Sequence, residues 1–212
     1  MITIAALFVE ASGVYSTLPG VELWPESRDA RLYRGPHRAV CHPDCGRWGR
    51  YWSGGPSAKI RCLLGDDANC FAHSLWVSRT FGGVIEHPEA SHAWRWFGLK
   101  TPPKNGGWTP ADNFGGWACC VEQGHYGHRA RKATWLYICG VERIFLPRLK
   151  WGPSAGERLD EGFHSKAERA SARLAGRAPR RRLSTAENIA TPVEFARLLL
   201  GLVRGNAMES AA

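Results

Sequence analysis

Apolar residues fall in short runs separated by polar, glycine-rich stretches. Ile2 to Val9 opens with an apolar run that predicts a buried strand. Val21-Glu22-Leu23-Trp24 and Ala39-Val40-Cys41 predict two more, and Ala11-Ser12-Gly13-Val14-Tyr15 supplies small residues where a strand turns into a helix. Between Asp66 and Phe81 the spacing of Cys70, Phe71, Leu75, Trp76 and Val77 suits a helix, with Asp66 or Asp67 at its start and Gly82-Gly83 at its end. Gly83-Val84-Ile85-Glu86-His87-Pro88 begins the next strand, and Leu99 to Trp117, rich in Pro, Gly and Asn, reads as a long loop. Cys119-Cys120-Val121-Glu122 and Thr134 to Cys139 predict two further strands. A closing helix starts near Thr191, with Pro192 at its first position. Strands alternating with helices predict an α/β domain with a mostly parallel sheet. The expected organisation is a core over 1–150, a basic, partly irregular segment over 151–190, a helix over 191–204 packed on the core, and a frayed tail over 205–212.

In such sheets ligands sit beyond the carboxyl ends of the strands. Two of the predicted strands end in reactive groups, Pro43-Asp44-Cys45 and Glu86-His87-Pro88. A thiol and a carboxylate at neighbouring strand ends suit attack on, and polarisation of, a pyrimidine ring. The plainer readings are a buried cysteine acting as a small hydrophobe and a structural salt bridge from Glu86 to Arg131 or Lys132. Gln123 to Lys132 also reads as a basic hairpin.

Composition narrows the class. The chain of 212 residues has 44% hydrophobic residues, enough for a sizeable core, and a formal charge of +9 that favours an acidic partner such as DNA. The run from Arg173 to Arg182, with Arg180, Arg181 and Arg182 at its end, is either a solvated segment or a phosphate-contacting arm. Seven scattered cysteines argue against a disulfide framework. Cys41, His42 and Cys45, with Cys119, Cys120, His125 and His128, offer soft ligands without the tight Cys-x2-Cys pair of zinc modules, so no metal site is assigned. The His-x-Glu and Pro-Cys-x-x-Cys signature of zinc deaminases is absent. With no membrane-length apolar run and no basic leader, the chain reads as an intracellular protein.

Five segments, in order over roughly residues 5 to 140, resemble the DNA cytosine-5 methyltransferases and their shortened relatives in phage-like genomes. Ala6-Leu7-Phe8-Val9-Glu10-Ala11-Ser12-Gly13-Val14-Tyr15 is similar to the family's first motif, and Trp24-Pro25-Glu26-Ser27-Arg28-Asp29-Ala30 to the segment whose acid holds the cofactor ribose. His42-Pro43-Asp44-Cys45 stands in place of the Pro-Pro-Cys nucleophile motif. Ile85-Glu86-His87-Pro88 stands in place of the Glu-Asn motif, and Gln123 to Lys132 in place of the Gln-x-Arg-x-Arg region. The resemblance implies a single Rossmann-like domain acting on DNA with S-adenosylmethionine. Cys45 is then the nucleophile and Glu86, with a raised pKa, the base-polarising acid. Arg129 and Arg131 would hold the base or a phosphate. Phe8, Glu10, Gly13, Glu26 and Asp29 would lie on the cofactor, and Arg47, Lys132 and Arg180 to Arg182 on nucleic acid. The departures are specific. Glu10 replaces a glycine, Asp44 a proline and His87 an asparagine; only fifteen residues separate Asp29 from Cys45, and the large target-recognition domain is missing. A descendant that binds nucleic acid or another partner without that cofactor is the alternative. Oligomeric state and target sequence are not readable from the chain.

Overall fold

The computed structural model describes residues 3–54, 59–156, 166–176 and 183–205. Its centre is a seven-stranded sheet of β1 (Ile4–Leu7), β2 (Val21–Trp24), β3 (Ala39–Cys41), β4 (Gly83–Pro88), β5 (Thr109–Pro110), β6 (Trp117–Glu122) and β7 (Ala133–Cys139). The order across the sheet is β2-β1-β3-β4-β7-β6-β5. Pairings β1–β2, β1–β3 and β3–β4 are parallel, whereas β4–β7, β7–β6 and β6–β5 are antiparallel. The expected mostly parallel sheet is therefore a mixed one, because β7 returns antiparallel between β4 and β6. The protein is of the α/β class.

Strand alternation sorts the core into two layers. Ala39, Cys41 and Ile85 face α1 (Cys70–Phe81) and α2 (His92–Trp96), where Phe71, Leu75, Val77 and Trp94 cover them. Val40, Val84, Leu136 and Ile138 face the opposite way, under the closing helix α5 (Val193–Arg204), whose Phe195, Leu199 and Val203 are fully buried. The segment expected to be partly irregular carries α3 (Lys166–Leu174) and α4 (Thr185–Ile189), the latter opened by a Ser184–Glu187 capping box. Pro192 is the N-cap of α5, one position before the place expected of it. Gly83 has to be glycine, since an added Cβ would lie 2.5 Å from the Ala39 carbonyl oxygen of the adjacent strand.

The small residues after β1 do not turn into an α-helix. The chain makes a single 3-10 turn over Val14–Thr17 and enters β2 directly. Two more 3-10 turns, Glu26–Arg28 and Ala30–Leu32, carry it from β2 back across β1 to β3. The order reverses between β1 and β3, so the open crevice of the parallel half lies beyond the carboxyl ends of these two strands. Among the described residues no helix is long and apolar enough to cross a membrane.

Candidate active site at the strand ends

Five polar side chains from neighbouring strand ends join in one row across that crevice. The Tyr15 hydroxyl lies 2.8 Å from His42 Nε2, and His42 Nδ1 lies 3.0 Å from Glu86 Oε2. Gln123 Nε2 donates to Glu86 Oε1 at 3.0 Å and to Thr134 Oγ1 at 3.0 Å. His42 is the residue after β3, anchored by its backbone N–H to the Leu7 carbonyl; Gln123 follows β6, and Thr134 is the second residue of β7. A carboxylate only accepts, so His42 Nδ1 carries a hydrogen and donates it to Glu86, while Nε2 meets the Tyr15 hydroxyl. Burial drives the Tyr15 phenol well above its ordinary value, which keeps that hydroxyl protonated.

Glu86 is thus held by both oxygens. Burial alone would raise its carboxyl. The hydrogen bond from His42 and the charges of His42 and Lys132 outweigh burial and hold it below the ordinary carboxylate value. This corrects the raised value expected from burial beside a base. Glu86 is a fixed anion, suited to accept from an N–H edge.

Cys45 is exposed, three residues beyond His42, at the start of a turn in which its carbonyl accepts from Trp48 and Gly49 N–H. Desolvation of the sulfur, then the negative charges of Glu86 and Asp44, push its thiol up, and Lys132 partly offsets them. Lys132 occupies a left-handed backbone conformation (φ 35°) that few side chains adopt without constraint, and its Nζ donates to the Ala190 carbonyl at 3.2 Å. Burial pulls the Lys132 ammonium down, while Glu86 and Cys45 pull it up. Thiol, carboxylate and ammonium therefore form one electrostatic group. Alkylation of Cys45 by iodoacetamide, followed by peptide mass mapping, should show a pH midpoint above the ordinary thiol value of about 8.5. Lys132→Met should move that midpoint higher still; an unchanged or lower midpoint would remove Lys132 from the site.

Behind this group His87 is fully buried. Its ring stacks on Trp94 and meets Phe71 edge-on, and its Nδ1 lies 2.7 Å from the Ser91 hydroxyl. On the far side of the turn, the buried Asp67 carboxylate accepts from Trp48 Nε1 and from the Phe71 backbone N–H, each at 2.8 Å. These contacts tie the Cys45 turn to the first turn of α1.

The residues matched to a cofactor differ in their surroundings. Asp29 caps the turn over Ala30–Leu32 and binds Arg31 through both oxygens at 2.8 Å, which lowers its carboxyl. Glu26 is exposed on the preceding turn. The Trp24 ring beside it is covered by the Arg28 guanidinium at 3.7 Å, itself paired with Glu22 at 2.8 Å. Phe8, with φ 59°, packs into the core, while Glu10 and Gly13 form a tight turn closed by Gly13 N–H to the Glu10 carbonyl. No α-helix N-terminus follows β1 to receive an anionic group. Asp29 and Phe8 are thus engaged within the fold, while Glu10 and Glu26 are exposed.

No family model, curated protein or solved structure matches this chain. The placement of the remaining candidates therefore rests on geometry alone. Arg131 forks onto Glu122 through Nε and Nη2, with Ser154 completing that carboxylate's bonds, and Arg129 pairs with Glu187 at 3.2 Å. Lys132, expected on nucleic acid or in a salt bridge with Glu86, is a cation whose charge acts on Glu86. Arg47 reaches the Trp52 carbonyl at 3.4 Å. Arg180, Arg181 and Arg182 lie outside the described residues. Among the described residues no group of three or more His, Cys, Asp or Glu is arranged to hold a metal. Tyr15 and Gln123 were not singled out by the sequence. Each stood inside a segment matched to the family, Tyr15 at the end of the first motif and Gln123 at the start of the last, but neither was given a role.

Proposed function

We propose that this protein is a Rossmann-like, nucleobase-modifying enzyme that adds Cys45 covalently to a pyrimidine ring in DNA. The observation that carries the reading is the convergence of an exposed thiol, a carboxylate fixed by both oxygens, and an ammonium at the order reversal of a parallel half-sheet. The ordered resemblance of Cys45, Glu86 and the Gln123–Lys132 segment to cytosine-5 methyltransferases supports the same assignment.

The chemistry follows from these three groups. Lys132 stabilises the thiolate once the thiol has lost its proton to solvent. The sulfur bonds to C6, and the C5=C6 pair moves to C5, which takes a proton from water. Loss of the other C5 hydrogen and expulsion of the thiolate restore the ring. Glu86 accepts from the exocyclic amine of cytosine and fixes the ring's orientation. The row from Tyr15 to Thr134 keeps that carboxylate from turning. The target base has to be unpaired or extruded for the sulfur to reach C6.

This cycle needs no second substrate, so it is measurable alone. In heavy water, cytosine in an oligonucleotide should gain deuterium at C5, read by mass spectrometry, faster with the protein than without it. Exchange no faster than in buffer, across single- and double-stranded oligonucleotides, would overturn the enzyme reading. A non-catalytic nucleic-acid-binding descendant of the fold is the second reading, favoured by the pairing of Asp29 with Arg31 and of Arg28 with Glu22 where the resemblance places a cofactor.

A further inference from the structure

The turn that begins at Cys45 opens a lobe whose composition differs from the rest of the chain. Residues 45–65 contain Arg47, Arg50, Lys59 and Arg61 and not one Asp or Glu. Of the acids that flank this stretch, Asp66 is exposed and the other two are engaged. Asp44 accepts from the Gly46 N–H, and Asp67 is buried against Trp48 and the start of α1. The lobe folds on itself through bonds from Gly65 N–H to the Arg47 carbonyl, Cys62 N–H to the Ser53 carbonyl and Trp52 N–H to the Gly49 carbonyl.

Large aromatic rings stand free on this basic ground. Tyr51 is 60% exposed and Trp96 61% exposed. The Arg50 guanidinium stands 5.6 Å from the Tyr51 ring centre. Trp96 meets Trp48 edge-on at 5.8 Å, and the Trp48 backbone N–H bonds to the Cys45 carbonyl, so this ring belongs to the surroundings of the thiol. The exposed Arg95 precedes it on α2, and the His92 N–H ties that helix to the Trp48 carbonyl. Exposing two rings to water in this way is costly for a purely structural role, because each ring is large and apolar.

We infer that the surface formed by Tyr51 and Trp96, with Arg47, Arg50 and Arg95 around them, is a docking platform for single-stranded DNA that leads an unpaired base to Cys45. The inference rests on the proposed function for its direction toward the thiol, but not for the binding itself. Free ring faces stack on bases whose own faces are free, which a duplex does not offer, and the cations track the phosphates. The absence of acids over residues 45–65 supplies the charge complementarity. A basic surface without exposed rings would not distinguish the two forms of DNA.

The test uses the full chain and a fluorescein-labelled 15-mer of deoxycytidine, single-stranded or annealed to its complement, followed by anisotropy. The single strand should bind at least about tenfold tighter than the duplex. Tyr51→Ala and Trp96→Ala should each weaken it by about 5- to 150-fold, the span of losing one base–aromatic stack. Arg50→Ala should lower the slope of log affinity against log salt by about 0.7, one phosphate contact on a single strand. Equal affinity for both forms, or ring variants that bind as the parent does, would overturn the platform. Sedimentation showing a dimer that Trp96→Ala dissolves would overturn it too, by assigning the rings to a second copy. Binding is read without chemistry, so its failure is separate from failure of C5 exchange.

Discussion

Cys45→Ala is expected to lower C5 hydrogen exchange by at least about 10³-fold, since removing a covalent nucleophile leaves only positioning. Glu86→Gln separates the two halves of the site more informatively. Exchange should fall by about 10²-fold, the cost of a reacting ring held out of position. Yet the same variant should make Cys45 alkylate faster at neutral pH. Glu86 is one of the negative charges that push the thiol up, so its removal brings the thiol down and enlarges the thiolate fraction. A residue that merely holds the fold would lower both readouts together. Opposite movement, with an unchanged circular dichroism spectrum, is the signature of a carboxylate that addresses the base and taxes the thiol. If Glu86→Gln retains full exchange, Glu86 serves only to pin His42 and Gln123. Lys132→Met provides the converse, slowing alkylation and exchange alike.

Much of this arrangement was legible because each strand is short and ends in an abrupt change of chemistry. Val21–Trp24 and Ala39–Cys41 are strands over the residues expected, and Cys45 and Glu86 stand at one end of the sheet as predicted. What the sequence did not reveal depends on partners distant along the chain. No local pattern says that β7 returns between β4 and β6, and that insertion brings Thr134 and Gln123 against Glu86. Five-residue α2 is too short for a periodicity to register, yet its Ser91 cap and Trp94 build the cage around His87. Asp29 had the right type and place for a cofactor ligand, but Arg31, two residues on, satisfies both its oxygens. Glu86 was expected to be raised because burial is readable from an apolar run, whereas the compensating His42 and Lys132 come from other strands. Local propensity identifies elements; pairing across the sheet decides what each terminal side chain does.

Acid should unfold this protein earlier than its carboxylates alone require, and His87 is the reason. The ring is fully buried between Phe71 and Trp94, and burial lowers its pKa to about 4 against the raising pull of Glu86 and the Asp44 carbonyl. In the unfolded chain the same ring titrates near its ordinary value of about 6.5. The unfolded state therefore binds more protons between these two values, and stability falls as pH falls through that window. The contribution is complete above about pH 6.5. About 2 kcal/mol of it should be lost between pH 7 and pH 5, and about 3 kcal/mol by pH 4. Urea unfolding followed by tryptophan fluorescence at pH 7, 6 and 5 measures the slope above the range where Glu86 and the other lowered carboxylates titrate. His87→Leu, a neutral side chain that keeps an apolar cage filled, should be less stable at pH 7 through loss of the Ser91 contact, yet lose markedly less on going to pH 5. The half-buried His73, lowered by burial and by Arg34, contributes to the slope in both proteins, so the difference between them isolates His87. A variant whose stability declines as steeply as the parent's would place the acid sensitivity elsewhere. A flattened slope would tie it to the ring that stands behind the Cys45 turn. Protonation at that position then loosens the site before the rest of the sheet, and iodoacetamide labelling of the buried Cys41 beside Ile85 should stay slow while the turn opens.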